Sequence, residues 1–501
     1  MKFNQLSRRA FIKGSASLLA LSTMPVKFSF AQTTIRVRPE WQQFRNSANY
    51  ASFIDAIRLM RANTNASSPS SWQYWVNVHV NYCPHGAPYF LAWHRGYLYY
   101  FEQQLRIVSG NNNLVLPYWD YYRNPRIPAE FTDPARGNPL YVARVNTNVY
   151  NALTLTPFGS NVWNFQRGTA NAFETFLEDA PHNPVHNIIG GVMQTMQSPQ
   201  DPIFYLHHAN IDRLWHAWAL PDGKGIPWTS SPYWSGNFTY APNLTLPRSQ
   251  CYHPNWVGTD YADNSPPTSL PPQAMLKGEV IRVQSQQARG VARPPVGAFK
   301  STAPKGLGAG RRSIGGASDV GLSESSVSVR VPVQKQDSDA LQTIVAHARG
   351  NRAAPAAAPE TYKSVDITLD NVNLLPPGRL GGFYYKVYLN LPAGGATSSS
   401  EAYYLGTLGA FEIDAASHRG GGHHGGGTVQ LSFPATERLV SIMTNDIREV
   451  TVSLVRVNGD NSPRGRVVTI GELRVELSTQ EPFDLTPPAP APADSPYRSS
   501  N

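Results

Sequence analysis

The chain has 501 residues, with 43 Lys and Arg against 34 Asp and Glu and a formal charge of +9. The positive excess gathers on no organised basic helix, which speaks against a nucleic-acid partner and leaves the charge as a surface feature. Two cysteines make no disulfide framework, whereas abundant Trp and Tyr beside only 15% charged residues make a large core feasible, in two or three domains.

Residues 1–31 read as a twin-arginine export signal. Ser7-Arg8-Arg9-Ala10-Phe11-Ile12-Lys13 is followed by a modest apolar run from Ser15 to Val26 and by small residues ending at Ala31. That run is too short to span a bilayer as a stable helix. The expectation is export, to the periplasm or beyond, without stable membrane insertion.

Residues 32–260 read as one mainly helical domain with long Tyr/Trp-rich loops, such as Leu116-Pro117-Tyr118-Trp119. Trp72, Trp75, Val76 and His79 fall at helical spacing, so His79 projects with an apolar face. His94 lies on the next expected helix, over 88–107, and His85 sits between them beside Pro84 and Gly86. Three imidazoles thus come from two helices and the loop that joins them.

The pattern recurs further on. His182 and His186 are four apart and share a face if helical. A break at Gly190-Gly191 and Ser198-Pro199 precedes a second helical segment, which starts near Asp201-Pro202 and carries His207 and His208. Two antiparallel helices there would bring His182, His186 and either His207 or His208 onto one metal ion. All-imidazole ligation suits copper, zinc or iron, and copper binds most tightly at a given nitrogen site. Facing helices of a bundle are a usual place for a dinuclear site.

Two motifs carry a resemblance. The first is His85, four residues, then Phe90, Leu91, Trp93, His94, Arg95, Leu98 and Glu102; the second is Asp201-Pro202-x-Phe204-Tyr205-x-x-His208-x-x-x-Asp212. On these the chain resembles the type-3 copper family of tyrosinases, catechol oxidases and haemocyanin functional units. The resemblance implies a four-helix-bundle core and two copper ions with dioxygen as cosubstrate. Copper A would be held by His79, His85 and His94, and copper B by His182, His186 and His208, leaving His207 as a core residue. It further implies that Glu178 and Asn183 hold a water that deprotonates an incoming monophenol, and that Cys83 and His85, spaced C-x-H, are joined by a thioether. Phe90 and Phe204 would wall the pocket, Asp212 would accept a hydrogen bond from a ligand ring, and 193–198 would overhang copper B. Arg95 and Glu102 would form buried polar ties, and Cys251 a buried thiol.

Composition shifts after residue 260. Residues 261–321, rich in Pro, Gly and Ser, read as a linker. Over 322–480 the period becomes two, with strands expected at 326–331, 363–369, 383–391, 428–433, 449–457 and 467–477, an antiparallel β-sandwich. A second linker is expected at 353–359, a mobile loop at His423-His424, and a disordered Pro-rich tail over 481–501. Tyr385-Lys386-Val387-Tyr388-Leu389-Asn390 and Tyr404-Leu405-Gly406-Thr407 look similar to the C-terminal shielding domain of plant and fungal polyphenol oxidases.

The combined expectation is a phenol oxidase that hydroxylates monophenols and oxidises o-diphenols to o-quinones, latent until its C-terminal domain is displaced or removed. The alternatives are a catechol or o-aminophenol oxidase, and a haemocyanin-like oxygen carrier. The expected partners are small phenols and dioxygen; whether the chain forms a homo-oligomer stays open.

Overall fold

The structure, a computed structural model, describes residues 34–272, 291–349, 362–394, 400–419, 429–443, 447–482 and 495–497. The export signal, the 353–359 linker and His423-His424 lie outside these residues.

The first domain is built on helices α1 (Asn49–Ala62), α2 (Trp72–Tyr82), α3 (Phe90–Ser109), α4 (Asn183–Ile189) and α5 (Ile203–Ala219). Helix α2 buries Trp72, Trp75, Val76, Val78 and His79, the face its spacing predicts. Helix α5 is buried along its whole length, so it forms the spine of the bundle. Tyr89 enters α3 with φ of +78°, a conformation that costs a non-glycine residue about 1 kcal/mol or more. Its ring is held by Tyr233 at 4.6 Å and by the Arg248 guanidinium at 4.2 Å. Gly190 and Gly191, at φ of +66° and +60°, stop α4 and turn the chain toward α5. The domain is closed by parallel pairing of its two ends, Arg36–Arg38 with Thr259–Tyr261.

The second domain contains strands β1 (Lys300–Thr302), β2 (Lys305–Gly308), β3 (Arg311–Leu322), β4 (Val327–Pro332), β5 (Ser364–Leu374), β6 (Phe383–Leu389), β7 (Tyr404–Gly409), β8 (Leu431–Pro434), β9 (Glu449–Asn458) and β10 (Val468–Ser478). They form one sheet in the order β7-β6-β9-β4 and another in the order β8-β5-β10-β3-β1, with β2 also on β3. Every pairing is antiparallel. A shared core including Ile314, Val329, Val387, Leu454 and Leu473 lies between them. Two helices matter below: α6 (Lys335–Ala348) and α7 (Ala410–Arg419).

All six expected strands are present, within a few residues of their expected ends. The linker boundary is different. Strands β1, β2 and all but the last residue of β3 lie inside 261–321, and β3 is a central strand paired to β10 on one side and β1 on the other. Its Gly-rich sequence reflects close packing: a Cβ on Gly316 would lie 2.0 Å from the Leu473 carbonyl oxygen. The tail also differs from expectation, because Ser495 and Tyr497 are buried in the first domain.

Candidate metal centre

Each histidine trio is delivered by two helices and the chain adjoining them. His79 is in the last turn of α2, His94 in the second turn of α3, and His85 in the loop between. Their ring centroids are 5.1, 5.8 and 5.5 Å apart. His182 immediately precedes α4, His186 lies on it and His208 on α5, with centroids 4.7, 4.9 and 5.6 Å apart. The trios face one another: His94 stacks on His208 at 4.3 Å, and His85 on His182 at 5.8 Å.

Hydrogen bonding fixes which nitrogen points inward. The Nδ1–H groups of His79, His94 and His186 donate to the carbonyls of Met196, Phe90 and Met193 at 2.7, 2.8 and 2.6 Å. That of His182 donates to Asn183 Oδ1 at 2.8 Å. Each bond leaves a lone pair on Nε2. His79 Nε2 is buried with no hydrogen-bond partner. Burial first, then the neighbouring rings, holds His94, His182 and His208 well below ordinary imidazole basicity. Burial also lowers His79 to about 4 and His186 to about 3. The rings are therefore neutral, as ligands must be.

The spacing fits a metal. Nε2 of His208 is 3.3 Å from that of His182 and 3.4 Å from that of His186. With His208 in the same tautomer as His182 and His186, the facing lone pairs would repel at that distance unless a cation sat between them. Metal–nitrogen bonds of about 2.0 Å at tetrahedral to trigonal angles require just such a separation. His207 also belongs to the cluster, but its ring lies flat against His182 at 5.3 Å.

The surroundings follow expectation in part. Phe90 packs on His182 at 4.5 Å and Phe204 on His208 at 4.1 Å, so both wall the centre. Asp212 reaches no ligand ring. Instead Arg95 Nε donates to it at 2.7 Å, the Tyr261 hydroxyl donates to it as well, and Arg95 lies 3.5 Å over Trp215. Glu102 ties Arg38, Arg106 and the Leu116 amide. The 193–198 segment supplies the two carbonyls that orient His79 and His186, a backbone role that side-chain identity does not reveal. Glu178 accepts from the Gly86 amide at 2.6 Å and from Arg167 Nη2 at 2.6 Å, tying the His85 loop to the second trio. Cys83 Sγ lies 3.7 Å from His85 Nε2 and 3.4 Å from His94 Nε2, and burial pushes its thiol up. Cys251 is buried and free.

A cavity of about 570 Å³ opens beside the centre, lined by His85, Arg167, Glu178, Asp179 and Asn183 and, from the second domain, Phe411. Phe411, on α7, is 1% exposed and stacks on His186 at 4.2 Å. The residue after it, Glu412, accepts from Asn187 Nδ2 at 2.8 Å, while the Phe411 amide donates to Asn187 Oδ1 at 2.9 Å. Asp414 accepts from the Met196 amide at 2.7 Å. The second domain thus holds the first through polar bonds surrounding one aromatic plug.

Residues 69–151 and 134–220 match the common central domain of tyrosinase. A tyrosinase of Streptomyces glaucescens is 30% identical over 191 residues, which cover 30% of this chain and 69% of that protein. The chain belongs to the tyrosinase family. Tyrosinase HcTyr1 of Hahella sp. (strain CCB-MM4) is 32% identical over 217 residues, covering 36% of this chain and 46% of that one. The chain spans about half the length of that relative and of polyphenol oxidase E of Solanum lycopersicum, 46% and 50% respectively. The structure of latent apple tyrosinase aligns with a TM-score of 0.51 at 20% identity over 90% of this chain and 99% of that one, which shows a shared two-domain fold. Residues 313–476 match a domain of unknown function, DUF7868. The tyrosinase family uses dinuclear copper, and the two imidazole trios fit it.

Proposed function

We propose that this protein is an exported dicopper phenol oxidase that hydroxylates monophenols and oxidises o-diphenols to o-quinones, held latent by its second domain. In this reading His79, His85 and His94 hold one copper ion and His182, His186 and His208 the other. The observation that carries it is the pair of neutral trios in direct contact, His94 on His208 at 4.3 Å. Bound there, a copper pair supplies two-electron activation of dioxygen. The chain's own residues orient the ligand rings, wall off water with Phe90 and Phe204, and present Glu178 and Asn183 at the cavity for proton transfer from a phenol. Cys83, near His85, would restrain that ligand through a thioether. Phe411 occupies the approach to His186, which supports latency. The twin-arginine signal supports export, and among the described residues no helix is long and apolar enough to cross a membrane.

A second reading, catechol oxidase, is favoured by the Arg167–Glu178 ion pair, because a bound cation weakens a carboxylate as a base. One experiment separates the readings. Metal analysis should give two copper atoms per chain, and an opened preparation should be given a monophenol and its diphenol side by side. Quinone from both supports the leading reading, and quinone from the diphenol alone supports the second. One copper per chain, or oxygen binding without quinone from either, overturns both.

A further inference from the structure

The end of the chain returns to the domain from which it is furthest in sequence. Tyr497 and Ser495 are both 0% exposed, and Tyr497 belongs to the hydrophobic core of the catalytic domain. Its ring lies 4.5 Å from His253, 5.4 Å from Tyr252 and 5.8 Å from His216. Its hydroxyl donates to the Tyr252 carbonyl at 3.2 Å, and Ser495 Oγ is 3.4 Å from the Tyr252 hydroxyl. Gly223, at φ of +80°, borders the slot, where a Cβ would be in ordinary van der Waals contact with Tyr497 at 3.4 Å. The slot is continuous with the back of the metal centre, because Arg95, next to His94, donates to the same Tyr252 carbonyl at 3.1 Å.

We propose that this slot is a docking site for the chain's own C-terminal peptide, and that the docked Ser495-Pro496-Tyr497 is a latch that keeps the shielding domain on the catalytic domain after the connection between the two domains is cut. The shielding domain is then bound twice: by its own interface around Phe411, and through the docked tyrosine, to which it is joined by the sixteen residues between Ser478 and Ser495. A short tether holds the second contact at high effective concentration, so each contact strengthens the other with no new surface. Proteolysis between the domains would not by itself release activity; the tail must also leave. This inference rests on the latency reading, and its test separates the two.

The test uses the full chain with a specific protease site placed within 273–290. Wild type, Tyr497→Ala, Tyr497→Phe and a chain ending at Asp494 are compared before and after cutting. Size-exclusion chromatography across a dilution series reports whether the two pieces stay together, and phenol oxidation is read in parallel. Cut wild type and Tyr497→Phe should remain associated, whereas cut Tyr497→Ala and the shortened chain should separate at concentrations about a hundredfold higher. A free peptide of residues 488–501 should open cut wild type by competing for the slot. In Tyr497→Ala it should restore thermal stability without restoring association, which excludes a simple folding defect. If cut wild type and cut Tyr497→Ala separate at the same concentration, or the peptide leaves cut wild type intact, the latch is wrong. If the pieces separate as described but activity does not rise, the latch stands and latency falls.

Discussion

Phe411 of the second domain lies flat on His186 of the first, with ring centroids 4.2 Å apart and planes 15° from parallel. The same ring meets His85 edge-on at 5.0 Å, so one side chain touches a member of each trio. Phe411→Ala removes this contact while leaving the Asn187–Glu412 bond in place. Each 1.4 kcal/mol taken from the closed state raises the open fraction about tenfold. Uncut Phe411→Ala should therefore oxidise a small diphenol about tenfold or more faster than uncut wild type, with the difference vanishing once both are opened. Equal rates in the uncut proteins would show that Phe411 does not limit access.

Cys83 gives a prediction that a mass spectrometer reads. A thioether to His85 removes two hydrogens from the chain, so intact protein loaded with copper and exposed to air should weigh two hydrogens less than its sequence. Cys83→Ser should carry its full sequence mass and hold copper about tenfold less tightly at the first trio, because the His85 loop loses its restraint. A wild-type mass equal to the sequence mass eliminates the bond.

The histidines were legible in the sequence because ligation demands a particular side chain at a particular spacing. The carbonyls of Met193 and Met196 that orient His186 and His79 were not, since every residue carries a carbonyl and only the turn after Gly190 aims these two. The choice between His207 and His208 needed the family motif; in the structure Nε2 of His208 converges with those of His182 and His186, while His207 stacks. Alternation exposed β4, β5, β6, β8, β9 and β10 but not β1, β2, β3 or β7; β3, whose Gly316 packs against the Leu473 backbone, read as linker. Phe411 and Tyr497 carried no local signal: each acts through a surface remote in sequence, which only the docked fold brings near.

Glu174 links stability to pH. Its carboxyl is fully buried, and burial raises it from 4.5 to about 7 despite bonds from the Arg167 and Leu91 amides. The folded state therefore binds the proton more tightly than the unfolded chain. No penalty exists below about pH 4.5, and it grows until it is complete above about pH 7, where it reaches roughly 3 kcal/mol. Glu174→Gln has no proton to lose. Its melting temperature relative to wild type should rise by about 5 °C or more between pH 4.5 and pH 8. A constant difference across that range would mean that Glu174 titrates normally.

Asn183 is the residue whose replacement tests the proposed hydroxylation apart from plain oxidation. Its Oδ1 accepts the Nδ1–H of His182 at 2.8 Å while the residue also lines the cavity beside Glu178. If it only orients the ring, its loss weakens every reaction at the centre alike. If it also holds the water that takes a phenol's proton, the loss falls on monophenols, because a diphenol is more readily deprotonated. Asn183→Gly removes both roles, and Asn183→Asp keeps an acceptor for His182 but places a charge beside the pair. Both variants, opened and loaded with copper, should lose about tenfold to a hundredfold on a monophenol and several-fold less on its diphenol. Measured kcat/KM values that fall in equal proportion on the two substrates would reduce Asn183 to a ring-positioning residue.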